Sequence, residues 1–238
     1  MRPAFYALRR GGWRDYVTLL HVPYTAWHLS YVVVGGCLVA EVSWGRLGLT
    51  VLAFFLAMGI GAHALDELAG RPLQTAIPGA ALVTLAVVSI VAACAIGLAV
   101  AFDFSLWILP LIAIGAFLVP AYNLELFGGR FHSDVWFALA WGAFPVVTGA
   151  VAVAGTVRAA TVIAAVWATV LSLAQRRLST PVRRRRREVA SVTGELELAD
   201  GSREAVTREA LVEAPEAALK LLAVATILIA AALVAFRL

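Results

Sequence analysis

Apolar residues fall into long runs broken by short polar segments, and the runs cover 21–40, 47–65, 78–101, 105–122, 135–155, 159–175 and 217–236. Each is close to the length of about 20 residues that an α-helix needs to cross a bilayer. The pattern predicts an all-α, polytopic membrane helix bundle of about seven transmembrane helices, forming a single membrane domain over 1–238. The fourth run carries Pro110 and Pro120, which spanning helices tolerate when neighbours satisfy the freed backbone groups. Small residues predict close helix packing at Gly35-Gly36, Gly45 with Gly48, Gly59 with Gly61, and Gly142 with Gly149. The connections 41–46, 102–104 and 156–158 are short. Those at 66–77, 123–134 and 176–216 are longer and carry the polar chemistry.

Composition sharpens this picture. The chain is 62% hydrophobic and 14% charged, against about 45–50% apolar and about 25% charged residues in soluble domains. A seven-span arrangement with the N-terminus inside leaves only Arg46, Arg158 and Arg237 of the 19 Lys and Arg residues outside. The positive-inside rule then predicts a multi-pass cell-membrane protein, N-terminus cytoplasmic and C-terminus outside. The first run has no small-residue cleavage site, so the N-terminus does not read as a signal peptide. The segment 176–216 reads as a cytoplasmic basic loop or subdomain. It holds Arg183 to Arg187, a possible hairpin at Glu195–Leu198 with the turn Asp200-Gly201, a helical stretch from Ser202, and Pro215 in the first turn of the last span. Its arginines suit anionic lipid headgroups. No aromatic-interleaved basic platform accompanies them, so nucleic acid is not an expected partner. Cys37 and Cys94 both fall inside spans and read as buried, inert thiols.

Ionisable groups within such a frame are expensive and point to function. His21, Tyr24, His28 and Tyr31 are spaced to share one face of the first helix. They read either as the wall of a binding pocket or as interfacial anchors with interhelical hydrogen bonds. At the end of the second span, His63, Asp66 and Glu67 stand at i, i+3 and i+4, followed by Arg71. Two carboxylates suit Mg²⁺ completed by substrate phosphates, and Arg71 suits a phosphate or a helix-end salt bridge. After the fourth span come Tyr122, Asn123, Glu125 and Arg130, which read as cation and phosphate contacts or as a solvated loop. The chain has no Gly-x-Ser-x-Gly, His-Glu-x-x-His, Walker A or Cys-x-x-Cys pattern, which removes the main support for serine hydrolase, zinc protease, ATPase and thiol redox chemistry.

The run Ala64-Leu-Asp-Glu-Leu-Ala-Gly-Arg-Pro-Leu-Gln-Thr-Ala-Ile-Pro78 resembles the first aspartate-rich region of the UbiA-type intramembrane prenyltransferases, with its following Arg-Pro-Leu. Pro120-Ala-Tyr-Asn123 and Trp136–Pro145 resemble that family's central tyrosine loop and the helix after it. The likeness covers roughly 15–180. It implies a helical bundle around a cavity open laterally to lipid, and Mg²⁺-assisted transfer of an isoprenoid from its diphosphate to a small acceptor at the cytoplasmic face. On the matching positions, His63, Asp66 and Glu67 would be catalytic, with Asp66 and Glu67 holding Mg²⁺. Arg71, Arg130, Gln175, Arg176 and Arg177 would bind phosphate. Tyr24, His28, Tyr31, Tyr122 and Asn123 would line the acceptor and allylic-cation region. Where the family has a second aspartate-rich motif this chain reads Leu173-Ala-Gln-Arg-Arg-Leu-Ser-Thr-Pro181, with no carboxylate. The alternative that follows is a non-catalytic subunit binding an isoprenoid, quinone or other lipid.

Overall fold

A computed structural model describes residues 2–238 and is overwhelmingly helical. The helices are α1 (Trp13–Leu19), α2 (Val22–Cys37), α3 (Trp44–Gly70), α4 (Gly79–Asp103), α5 (Ile108–Asn123), α6 (Asp134–Ala154), α7 (Ala159–Arg187) and α8 (Arg208–Arg237). A hairpin of β1 (Glu195–Glu197) and β2 (Arg203–Ala205) links α7 to α8 in antiparallel register. Every apolar run falls on one of these helices. Five of them, α3, α4, α6, α7 and α8, are long and apolar enough to cross a membrane. α2 and α5 have 16 residues each and reach about 24 Å, short of a hydrocarbon core of about 30 Å.

Local chemistry explains the helix starts. Pro23 sits in the first turn of α2, where its missing N–H costs nothing. The hydroxyl of Ser133 accepts from Trp136 N at 3.3 Å, and that of Thr207 accepts from Ala210 N at 3.1 Å, capping α6 and α8. α3 and α6 each contain a wide π-type turn, over Phe55–Ala62 and Leu139–Ala143. Such turns insert a residue into the helix and are common at functional sites. Here they turn Met58 and Trp141 inward.

The core is built on backbone-close crossings. A Cβ on Gly35 would lie 1.9 Å from the carbonyl oxygen of Val146, and one on Gly149 would lie 2.3 Å from that of Val32. α2 and α6 therefore touch backbone to backbone, as the glycine pattern predicts. Gly45 and Gly48 differ from that expectation, because both face open space. Gly35→Ala should cost at least about 3 kcal/mol by forcing the helices apart. Gly45→Ala should leave stability intact. Melting of the two variants in detergent checks the contrast.

The basic segment departs from the loop expected at 176–216. α7 continues through Pro181 to Arg187, so Arg176 to Arg187 are helical. The run was legible as polar, but its helical spacing was hidden by the proline. The Glu195–Glu197 hairpin forms as expected. Ser202 leads into β2 rather than into a helix, and Pro215 lies well inside α8 rather than in its first turn. Arg186 on α7 makes a two-pronged, mostly buried ion pair with Glu216 on α8, which joins the two helices. At the opposite end of the bundle, Arg46 donates to Val153 O at 2.6 Å, and Arg237 donates to Cys37 O at 2.9 Å and Val39 O at 2.6 Å. These guanidiniums satisfy carbonyls exposed at and just beyond helix C-termini. Cys37 is buried, Cys94 is partly so, and both are free thiols.

Candidate functional site

The stretch His63–Leu73 is split by its own geometry. α3 ends at Gly70, and Arg71 turns the chain with a left-handed φ of 50°. The connection that follows wraps around Glu67. One carboxylate oxygen accepts from Leu73 N at 2.9 Å, and the other accepts from Thr75 N at 2.8 Å and Thr75 Oγ1 at 2.9 Å. Glu67 is fully buried. Arg71 donates to Ile77 O at 2.6 Å within the same connection. Asp15 of α1 braces it from outside, accepting from Ala76 N at 2.8 Å and from Gly11 N at 2.9 Å. Glu67 and Arg71 thus satisfy the polar backbone of a loop that buries Leu73, Thr75 and Ile77.

His63 and Asp66 face the other way, into a polar cavity of about 950 Å³, open mouth included. All four histidines of the chain, His21, His28, His63 and His132, line it. His21 sits in a left-handed turn (φ 46°) between α1 and α2, and its ring stacks on His63 at 4.0 Å. His28 holds Trp141 O at 2.8 Å through Nδ1, His63 holds Gly59 O at 3.1 Å, and His132 holds Tyr122 O at 3.0 Å. A carbonyl only accepts, so each of these three rings donates through Nδ1–H. Tyr6, Tyr24 and Tyr122 add phenols. Burial, reinforced by the phenol of Tyr24, pushes Tyr6 well above the ordinary tyrosine range, so its hydroxyl stays a donor.

One face of α7 supplies the charge. Arg176, Arg183 and Arg187 line the cavity, with Ser179 between them. At about 100° per residue, positions 176, 183 and 187 fall within about 40° of one another on the helix. Arg176 is neutralised by Asp134 at 3.0 Å and lies over the ring of Phe137 at 5.2 Å. Arg187 donates to Pro3 O at 3.4 Å, and Arg183 makes no hydrogen bond or ion pair among the described residues. Glu216 is taken by Arg186. Asp66 is therefore the one cavity carboxylate without a guanidinium partner, set against two guanidiniums, Arg183 and Arg187, that no carboxylate pairs. Such a surplus of cations in a partly buried cleft attracts an anion, and phosphate oxygens suit the guanidinium fork. Pro3, Ala4, Phe5 and Tyr6 of the N-terminal segment close over the mouth.

Beyond Met58 and Trp141, which both spaces share, lies a groove of about 860 Å³ between α3, α4, α5 and α6. Its walls are almost wholly apolar, including Ala53, Ile90, Cys94, Ile112 and Phe144. A charged, partly polar cavity and an apolar groove thus lie side by side, with Met58 and Trp141 lining both.

The cavity gathers His63, Asp66, Tyr24, His28, Tyr122, Asn123, Gln175 and Arg176 from the residues predicted by sequence. Five predicted residues lie elsewhere. Glu67 and Arg71 hold the loop after α3. Tyr31 turns into the packing between α2 and α7, where it accepts from Trp27 Nε1 at 2.6 Å and meets Ser172 Oγ at 3.4 Å. Arg130 and Arg177 are exposed, Arg130 in the connection after α5 and Arg177 on the outer face of α7. Arg183, Arg187, Tyr6, His132 and Trp141 belong to the cavity and were not singled out by the sequence. The helical spacing from Arg176 to Arg187 carried the signal for the two arginines.

The expected Mg²⁺ can be tested against this donor set. Among the described residues no group of three or more His, Cys, Asp and Glu side chains could hold a metal ion. Both oxygens of Glu67 are spent on the loop. Asp66 is the one carboxylate of the set left to reach a cation, and Mg²⁺ commonly takes only one or two carboxylates beside substrate phosphates. No family model, curated protein or solved structure matches this chain.

Proposed function

We propose that this chain is a divergent, UbiA-like membrane prenyltransferase that binds an isoprenoid diphosphate and transfers its isoprenoid to a small acceptor. The observation that carries the reading is the junction of a cationic cavity with an apolar groove at Met58 and Trp141. The diphosphate lies against Arg183 and Arg187, with Arg176 behind, and the hydrocarbon tail enters the groove. This puts the first carbon of the isoprenoid near Trp141, Phe137 and Tyr122. The bond from that carbon to the diphosphate oxygen breaks, and its electron pair leaves with the diphosphate. The guanidiniums stabilise the departing charge, and the aromatic faces stabilise the allylic cation. The acceptor forms the new bond to the same carbon and gives up a proton. Asp66 would hold a single Mg²⁺, which supplies Lewis-acid neutralisation of the leaving group. α2 and α5 join the five longer helices as spans in this reading. The cavity end, where the arginines of α7 gather, faces the cytoplasm.

Purified protein in lipid nanodiscs should release diphosphate from radiolabelled geranylgeranyl diphosphate in the presence of Mg²⁺ and a panel of phenolic, quinone-precursor and lipid acceptors. Asp66→Asn should lower that rate about 100-fold and weaken its Mg²⁺ dependence. Absence of release with every acceptor, together with unaltered geranylgeranyl diphosphate binding by Asp66→Asn, would contradict the transferase reading. One observation favours a second reading, a lipid-binding subunit without catalysis. Asp66 stands without a second free carboxylate. Tight geranylgeranyl diphosphate binding without release identifies that case.

A further inference from the structure

His28 lines the cavity beside Trp141, and its setting is specific. It is 5% exposed. Its Nδ1 is held at 2.8 Å by the backbone oxygen of Trp141, the residue that walls both the cavity and the groove. The rings of Phe137 and Tyr31 stand edge-on to it, with centroids at 5.8 and 5.9 Å. The carbonyl fixes the Nδ1–H tautomer, and the aromatic edges fix the ring plane. In the neutral ring Nε2 then carries a lone pair that no protein group takes up, in the manner of an oriented general base. Because Trp141 O is a main-chain atom of a wide helical turn (Leu139–Ala143), the hydrogen bond that sets the tautomer does not depend on another side chain's rotamer.

We propose that His28 is the proton acceptor of the transfer step, taking through Nε2 the proton that the acceptor loses as it bonds to the first carbon of the isoprenoid. This rests on the transferase reading above and adds a residue whose role no carboxylate of the cavity fills, because Asp66 lies with the headgroup arginines rather than at the junction. The balance is complete. The bond from carbon to the diphosphate oxygen gives its pair to the diphosphate, the acceptor supplies the pair for the new bond, and its proton passes to Nε2. The resulting imidazolium returns that proton to the diphosphate or to water in the cavity. No oxidant or second cofactor is needed. The ionisable groups set against His28 are His63 from α3 and Tyr31 of its own helix, and Tyr24 and Arg176 line the same cavity.

The test compares wild type with His28→Ala, each in nanodiscs, for geranylgeranyl diphosphate binding and for transfer to the best acceptor found. The variant is expected to bind within about 3-fold of wild type and to transfer at least about 100-fold more slowly, the usual scale of general-base loss. Added free imidazole should restore transfer, more effectively as pH rises and the neutral base accumulates. The wild-type rate should rise with pH along a limb that the variant lacks. Rescue by imidazole is the readout that a packing role would not produce. Transfer by His28→Ala at the wild-type rate, or a slow rate with no rescue, overturns this assignment and leaves the transferase reading standing. Binding without transfer by wild type overturns the transferase reading and the base with it.

Discussion

Arg183→Ala is expected to weaken binding of geranylgeranyl diphosphate by roughly 10- to 100-fold, a loss of about 1.5–3 kcal/mol for one charge-assisted phosphate contact. Arg183 is half-buried on the cavity face of α7 and is bound to no protein group among the described residues. Its positive charge therefore awaits an external anion, unlike Arg176 with Asp134 or Arg186 with Glu216. Lysine at this position should restore charge but not the two-pronged fork, leaving affinity well below wild type. Binding of an uncharged analogue, geranylgeraniol, should be unaffected if, as proposed, the tail occupies the groove beyond Trp141. Isothermal titration of both ligands checks the contrast. Equal losses for both would mean that the variant damages the bundle rather than the headgroup contact.

Glu67→Ala is expected to cost about 3 kcal/mol or more of stability. Removing the carboxylate strands Leu73 N, Thr75 N and Thr75 Oγ1 in a buried loop. The loop also carries Ala76 N to Asp15 and packs Leu73 against Ala4 and Ala7 of the N-terminal segment. The damage should therefore spread to the segment that closes the cavity. Glu67→Gln, which keeps an acceptor of the same shape, should recover much of the stability. Neither variant should alter Mg²⁺ affinity in molecules that remain folded, whereas a metal-ligand role would make Glu67→Gln fail on metal while melting normally. Thermal unfolding in detergent paired with Mg²⁺ titration separates the two roles.

The span pattern was legible because lipid imposes one simple demand, an apolar run long enough to satisfy its own backbone. Every apolar run became a helix. The site was legible only where a residue's neighbours in sequence are also its neighbours in space. His63 and Asp66 reached the cavity together because they lie one turn apart on α3. Glu67 sits one residue further and points into the loop, and nothing local to the sequence distinguishes the two carboxylates. Which of them is free depends on where Leu73 and Thr75 return in space. Tyr31 was set apart for a similar reason. It shares the stripe of His28, but one turn deeper α2 meets Ser172 of α7 and the cavity has ended. Arg183 and Arg187 show the opposite error. Their spacing from Arg176 is in plain view, but the segment 176–216 reads as a basic loop suited to anionic headgroups, which gives its arginines no common face. Packing of α7 on α8 through Arg186 and Glu216 overrides the proline and gives that run a face.

The central claim is that one amphiphile occupies both spaces, head against the α7 arginines and tail in the groove. Photolabelling tests it most directly, with a non-hydrolysable geranylgeranyl thiodiphosphate carrying a diazirine at the far end of its tail, followed by mass-spectrometric mapping of the adducts. The account predicts adducts on groove residues such as Ala53, Ile90, Cys94 and Ile112, which are lost on competition with geranylgeranyl diphosphate. Adducts confined to lipid-facing residues such as Val162, Ile163 and Val166 of α7, exposed on the outside of the bundle, would contradict it.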